Sequence, residues 1–236
     1  MISIGNSFVS IDETSELIFK QKEFALIGVS PFNSYFSVAN IVLTIKIVLK
    51  HFNDFAIFIP DKISRYNLEA IGYTNQRASY RVRKQDNYLK NKVNKAIEVF
   101  HTSYQDKVVL LSDLSRNNKY IDLYAACMNQ FSQDQKFRNG CLDTSNWILE
   151  SYAKERNLLV NEDNSNIAVQ YFLEELPIFL GASEMLNVDS CSFVYHSIPD
   201  FLMQIYSQYS HLVSNNQSFT TLKQFSSNNK EKIYDD

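Results

Sequence analysis

The chain is poor in the residues that punctuate or staple a fold. Five glycines and four prolines in 236 residues leave no stretch that reads as a flexible linker between domains. Three cysteines, Cys127, Cys141 and Cys191, are too few and too far apart for a disulfide framework or a thiolate metal site. They read as buried, reduced thiols of a cytoplasmic protein. The histidines, His51, His101, His196 and His211, lack zinc-ligand spacing, so no metal centre is expected. No apolar run reaches the roughly 18 residues of a membrane span. The opening MISIGNSFVSIDE has no basic segment followed by an apolar one, so no secretory signal is expected. A phosphate-binding loop would need more glycines and a lysine, and the Gly-x-Ser-x-Gly elbow of serine hydrolases is missing.

What is present is ample material for a core. Hydrophobic residues make up 45% of the chain and aromatics 14%, against 21% charged, a balance that excludes global disorder. Phe24–Val29 is a short apolar run ended by Ser30-Pro31, the pattern of a strand covered on both faces. A polar turn and an amphipathic stretch to about Phe52 follow. Phe55–Ile59, Lys107–Leu111 and Ser192–Tyr195 read as further strands. Helical patterns fill roughly 62–72, 76–101, 117–135, 143–157 and 164–181. Strands alternating with helices predict a single Rossmann-like α/β domain over 1–215, with a mainly parallel sheet flanked by helices. Residues 216–236 are polar and read as a disordered tail. In such sheets ligands bind beyond the carboxyl ends of the strands, and Ser30 sits at one.

Four segments have the residue types for chemistry. In Gly28-Val29-Ser30-Pro31-Phe32-Asn33-Ser34, Gly28 lets a ligand approach the backbone. Ser30 is either an exposed nucleophile with oxyanion donors at the next helix start or an ordinary helix cap. In Tyr171-Phe172-Leu173-Glu174-Glu175-Leu176-Pro177, Tyr171 and Glu175 share a helical face and together suit a cationic amine. Glu174 points about 100° away, toward solvent, and Pro177 is expected to bend the helix. Tyr195 and His196 alternate across a strand, so only one faces the cleft of Ser30. On the helix at about 76–100, Arg77, Arg81, Lys84, Tyr88, Lys92 and Lys95 fall within a stripe of roughly 80°. Val82, Leu89, Val93 and Ile97 lie opposite, with Asp86 the misfit. From Arg77 to Lys95 seven basic residues face one acidic, a local +6 on a chain of net −3. Such a stripe is either a polyanion site or a solvated helix face.

In order and spacing these segments, GVSPFNSYF, YFLEELPIF and VYH with the basic helix between the first two, resemble the cyclodipeptide synthase family over residues 20–205. Asn33, Tyr195 and His196 are similar to the branch that carries Asn, Tyr and His at those points. The resemblance implies a fold like the catalytic domain of class I aminoacyl-tRNA synthetases, without their ATP-binding His-Ile-Gly-His and Lys-Met-Ser-Lys-Ser signatures. It implies no metal, ATP or organic cofactor, two aminoacyl-tRNAs as substrates, no membrane, and a monomer. Residue by residue, Ser30 matches the catalytic serine and Gly28 the glycine before it. Tyr171 and Glu175 match the pair that holds the amino group, and Tyr195 the tyrosine beside the nucleophile. Leu26, Asn33 and His196 fall at substrate-binding positions. Arg77, Arg81, Lys84, Lys90, Lys92 and Lys95 fall on the tRNA-binding helix, which is sparser here than in some relatives. Phe32 is bulky where some members have a small residue. The implied reaction is ping-pong, through aminoacyl- and dipeptidyl-Ser30 esters. Two other readings stay open: a serine hydrolase with an unplaced Asp/His relay, and a non-catalytic RNA-binding module.

Overall fold

A computed structural model describes residues 2–4, 8–101, 104–154 and 160–222. The strands are β1 (Ile2–Ile4), β2 (Phe8–Ser10), β3 (Phe24–Gly28), β4 (Asp54–Ile59), β5 (Val108–Leu110), β6 (Cys191–Tyr195) and β7 (Gln217–Leu222). The helices are α1 (Glu13–Gln21), α2 (Val38–Leu49), α3 (Arg65–Ala70), α4 (Asn75–Glu98), α5 (Tyr104–Lys107), α6 (Leu111–Leu114), α7 (Asn118–Gln133), α8 (Gln135–Lys154), α9 (Glu162–Leu186) and α10 (Asp200–Gln208). One sheet runs in the order β1-β2-β7-β6-β3-β4-β5. β7, β6, β3, β4 and β5 are parallel, and β1 and β2 add an antiparallel edge.

The apolar runs of β3 and β4 do not alternate in polarity because both faces are covered. Leu26, Ala56 and Phe58 point into one cluster, built with Cys127 of α7, Phe172 and Leu176 of α9, and Ile205 of α10. Ala25, Ile27, Phe55 and Ile57 point into another, with Ile41 and Ile45 of α2 and Leu89 and Val93 of α4. Strand order reverses between β3 and β6. The chain moves outward through β4 and β5, then returns to the other side of β3, leaving a crevice at that switch point.

Only the C-terminal half of α4 packs on this sheet. Ala78 and Val82, nearer its start, bury instead against Leu68, Leu149, Ala153 and Ala168 in a third cluster. The fourteen residues Asn75–Tyr88 thus carry the helix past the sheet by about 21 Å at ~1.5 Å per residue.

Several expectations need correction. The boundary at 215/216 cuts off a strand: β7 is wholly buried between β2 and β6. Side-chain hydrogen bonds compensate part of its polarity: Gln217 Oε1 accepts the Ser183 amide at 2.9 Å, its Nε2 donates to the Ser218 carbonyl at 3.0 Å, and Ser218 Oγ lies 2.6 Å from Ser192 Oγ. Residues 223–236 of the expected tail lie outside the described residues, as do 155–157 of the helix expected over 143–157. That helix begins earlier, at Gln135, because Asp134 accepts the amides of Lys136 (2.8 Å) and Phe137 (3.1 Å). α9 runs through Pro177 without a break, and the non-helical residue is Gly181 (φ −156°, ψ 25°). The Leu180 carbonyl beside it accepts the Ser214 amide at 2.8 Å.

Candidate active site

Ser30 follows β3 directly and Tyr195 ends β6, so the two strands flanking the switch point bring them together. Their hydroxyl oxygens are 2.7 Å apart. Tyr171 on α9 lies close enough to the Ser30 hydroxyl to be influenced by it, and Glu175, one turn on, is influenced in the same way by the Tyr171 hydroxyl. The result is a run of side chains, Tyr195–Ser30–Tyr171–Glu175, drawn from three elements. Ser30 is not a helix cap: α2 starts at Val38, and Ser37 caps it by accepting the Asn40 amide at 3.2 Å. The oxyanion donors expected at that helix start are therefore a loop away from Ser30.

Electrostatics separate the members of the run. Glu175 is 8% exposed, and burial raises its carboxyl to about 8, against the lowering effect of the Tyr171 hydrogen bond. Burial likewise pushes the phenols of Tyr171 and Tyr195 above their ordinary range. Both are proton donors at neutral pH, and neither is a free base. Glu175 is the group of the run that exchanges a proton near neutrality.

Asn33 and His196 form the wall of the crevice. Asn33 Oδ1 accepts the Tyr35 amide at 2.9 Å, closing an Asx turn, and its Nδ2 lies 3.0 Å from His196 Nε2. The amide nitrogen can only donate, so His196 Nε2 accepts and the ring is neutral. Burial, which lowers the imidazole to about 4, agrees. The ring is clamped by Tyr35 and Tyr195, each with its centroid 4.4 Å away. The expected alternation does not hold: β6 ends at Tyr195, and the His196 ring packs beside the Tyr195 ring, the first on Asn33 and the second on Ser30. A hydrolase relay would need an imidazole on Ser30, and His196 is committed elsewhere.

Gly28 is explained by its neighbours. A Cβ there would sit 2.6 Å from the Phe193 ring and 3.0 Å from that of Tyr195, so the missing side chain lets these rings close over β3. Leu26 has no exposed surface and belongs to the same apolar cluster as Tyr171 and Phe193. Phe32 is half-exposed, adopts a left-handed backbone (φ 59°) and packs its ring on Tyr152 at 5.6 Å. Glu174 is not solvated as expected: it accepts the Tyr66 hydroxyl at 2.6 Å, and Tyr66 in turn accepts from Arg65 at 2.8 Å.

The basic stripe divides by position. Arg77, Arg81, Lys84 and Lys95 are exposed, Arg81 with its guanidinium bonded to the Tyr73 hydroxyl. Lys92 reaches inward to the Phe36 carbonyl at 3.1 Å, tying α4 to the loop after Ser30. Lys90 lies 3.9 Å from the buried Asp61. Asp86, the misfit on the apolar face, is buried against the Lys62 amide (3.0 Å), and burial pushes its carboxyl up to about 6. The ring wall of Tyr35 and Phe36 and the tether of Lys92 were not foreseen. The aromatic pair after Asn33 was their one sequence signal.

The paired hydroxyls of Ser30 and Tyr195 at the switch point of a parallel α/β sheet, with a buried carboxylate close by, mark this crevice as the candidate active site of an enzyme. The sequence model of the cyclodipeptide synthase family matches residues 7–224, and the chain belongs to that family of enzymes. A cyclo(L-leucyl-L-leucyl) synthase of Staphylococcus haemolyticus is 30% identical over 76% of this chain and 78% of its own length. One from Bacillus subtilis is 30% identical over 79% and 76%. The crystal structure of a cyclodipeptide synthase from Bacillus thermoamylovorans is 29% identical and superposes with a TM-score of 0.86 over 93% of this chain and 96% of that one. A Mycobacterium tuberculosis structure, described as relating cyclodipeptide synthetases to type I tRNA synthetases, shares the fold at a TM-score of 0.80 and 21% identity, over 92% and 93% of the two chains. Among the described residues no helix is long and apolar enough to cross a membrane.

Proposed function

We propose that this chain joins the aminoacyl groups of two aminoacyl-tRNAs into a cyclic dipeptide through esters on Ser30. The observation that carries this reading is the Ser30–Tyr195 hydroxyl pair at 2.7 Å, with the buried Glu175 close by on α9. The Ser30 oxygen accepts from Tyr195, whose phenol burial keeps protonated. Ser30 Oγ attacks the ester carbonyl; the bond to the tRNA ribose oxygen breaks, and that oxygen leaves with the proton Ser30 gives up. The amine of the bound aminoacyl group lies against Tyr171 and Glu175, where an ammonium replaces the solvent the carboxylate lost on burial. Glu175 takes the ammonium's proton, freeing the amine to attack the second ester. The dipeptidyl-Ser30 ester then closes when its free amine attacks its own carbonyl, releasing Ser30 and the ring. Tyr195 donates to Ser30 Oγ as it leaves. Asn33, held by His196, positions the acyl group, and Leu26 and Gly28 support the site from behind the Phe193 and Tyr195 rings that close over Gly28.

The tRNA backbone lies along Arg77, Arg81, Lys84 and Lys95, with Lys90 and Lys92 at the junction with the site. Buried free thiols at Cys127, Cys141 and Cys191 fit action in the cytoplasm, as a monomer. Two relatives above are named for cyclo(L-leucyl-L-leucyl), so leucyl-tRNA is the first donor to supply. Incubation with tRNA carrying a radiolabelled aminoacyl group should leave label on the wild-type chain and none on Ser30→Ala. Product formed by Ser30→Ala at the wild-type rate would reject the covalent route.

A further inference from the structure

The projecting end of α4 borders a groove of about 770 Å³ lined by Tyr73, Gln76, Arg77, Tyr80, Arg81 and Arg83, among others. Three of these are cations and none of the groove's lining residues is acidic, so its occupant is an anion. The tyrosines ask for more than charge. Tyr80 is 60% exposed, with the Arg83 guanidinium 5.8 Å from its ring centroid. The Arg81 guanidinium sits 4.9 Å from the Tyr73 ring. A base-paired stem offers phosphates and hides its base faces, so arginines alone would serve it. Exposed rings beside arginines match a flat, unstacked base flanked by phosphates.

We propose that this groove holds an unpaired nucleobase of the incoming aminoacyl-tRNA, stacked on Tyr80, with Arg81 and Arg83 on the neighbouring phosphates. The proposal rests on the aminoacyl-tRNA reading above and adds to it a contact based on base faces. Twelve residues of helix separate Tyr80 from Lys92, about 18 Å at ~1.5 Å per residue, and Lys92 touches the loop after Ser30. A stacked strand advances ~3.4 Å per nucleotide, so the groove lies roughly five nucleotides from the point where α4 meets the loop after Ser30. That is where the single-stranded 3′ end of a tRNA meets its acceptor stem.

The test uses the full chain and an uncharged tRNA transcript, with binding followed by fluorescence anisotropy between 50 and 200 mM salt. Circular dichroism checks that each variant is folded, as expected at so exposed a position. Tyr80→Ala and Tyr80→Leu should bind roughly tenfold more weakly, and Tyr80→Phe as tightly as wild type. The salt slope should stay unchanged in all three, because stacking releases no counterions. Lys84→Gln with Lys95→Gln should lower that slope by about 0.7–0.9 per lost phosphate contact. Pairing the 3′ end to a short complementary strand should abolish the difference between wild type and Tyr80→Ala. Wild-type affinity in Tyr80→Ala, or an equal loss in Tyr80→Phe, would overturn the stacking site while leaving the tRNA reading intact. A wild-type chain that binds no tRNA would overturn both.

Discussion

Replacing Glu175 by Gln should remove most of one component of the pH dependence of folding. The carboxyl is buried on α9, and burial raises it from an ordinary 4.5 to about 8. Between those values the unfolded chain has released the proton and the folded chain still holds it. Stability from this group is therefore complete below about pH 4.5, falls as pH rises, and is lost once pH passes about 8. At ~1.4 kcal/mol per pH unit the full loss is on the order of 5 kcal/mol, comparable to the whole stability of a marginal domain. The amide of the variant keeps the shape of the carboxyl and has no proton to release. His196 titrates in the opposite sense: burial lowers it to about 4, so its contribution is lost as pH falls from about 6.5 toward 4. It is present in both proteins and cancels in their difference. Urea unfolding of wild type and Glu175→Gln at unit steps from pH 5 to 9 gives that difference directly. The variant should gain on wild type by about 1.4 kcal/mol per unit and level off above pH 8. Parallel curves, or a gap that narrows with pH, would refute the claim that Glu175 is held protonated by burial.

Two further outcomes follow from packing. Gly28→Ala places a methyl 2.6 Å from the Phe193 ring and should cost about 1–3 kcal/mol in denaturant unfolding, through overpacking under the site; an unchanged midpoint would show that the ring moves aside freely. A chain truncated after Asn216 loses an interior strand paired to both β2 and β6 and should fail to fold cooperatively, whereas a chain ending at Gln224 should retain a cooperative transition in the same scan.

The parts of this molecule legible in its sequence are those where one physical demand dominates. β3 and β4 needed apolar residues on both faces and declare themselves by unbroken runs. Tyr171 and Glu175 share a helix face by spacing alone, whereas strand alternation misled at Tyr195 and His196 because β6 stops at Tyr195 and the two rings pack side by side. β7 was illegible because the partners that admit its polar residues, Ser183 for Gln217 and Ser192 for Ser218, lie 34 and 26 residues away in the chain; by composition the segment resembles a frayed tail. The start of α8 was lost because a single side chain, Asp134, decides it. Glu174 looked solvated because its partner, Tyr66, lies 108 residues away in the chain. The same holds for the site: Ser30 meets Tyr195 across 165 residues, and only the order of the sheet brings them together. The groove at Tyr80 was visible as charge, but its ring faces became apparent only with the third cluster, which lifts the end of α4 clear of the sheet.

The account stands most directly on the product. Mass spectrometry of the medium from bacteria expressing this chain, beside a Ser30→Ala control of equal solubility, should reveal masses of diketopiperazines in the first culture and none in the second. Diketopiperazines at the same level in both cultures would contradict the serine-ester mechanism at its centre.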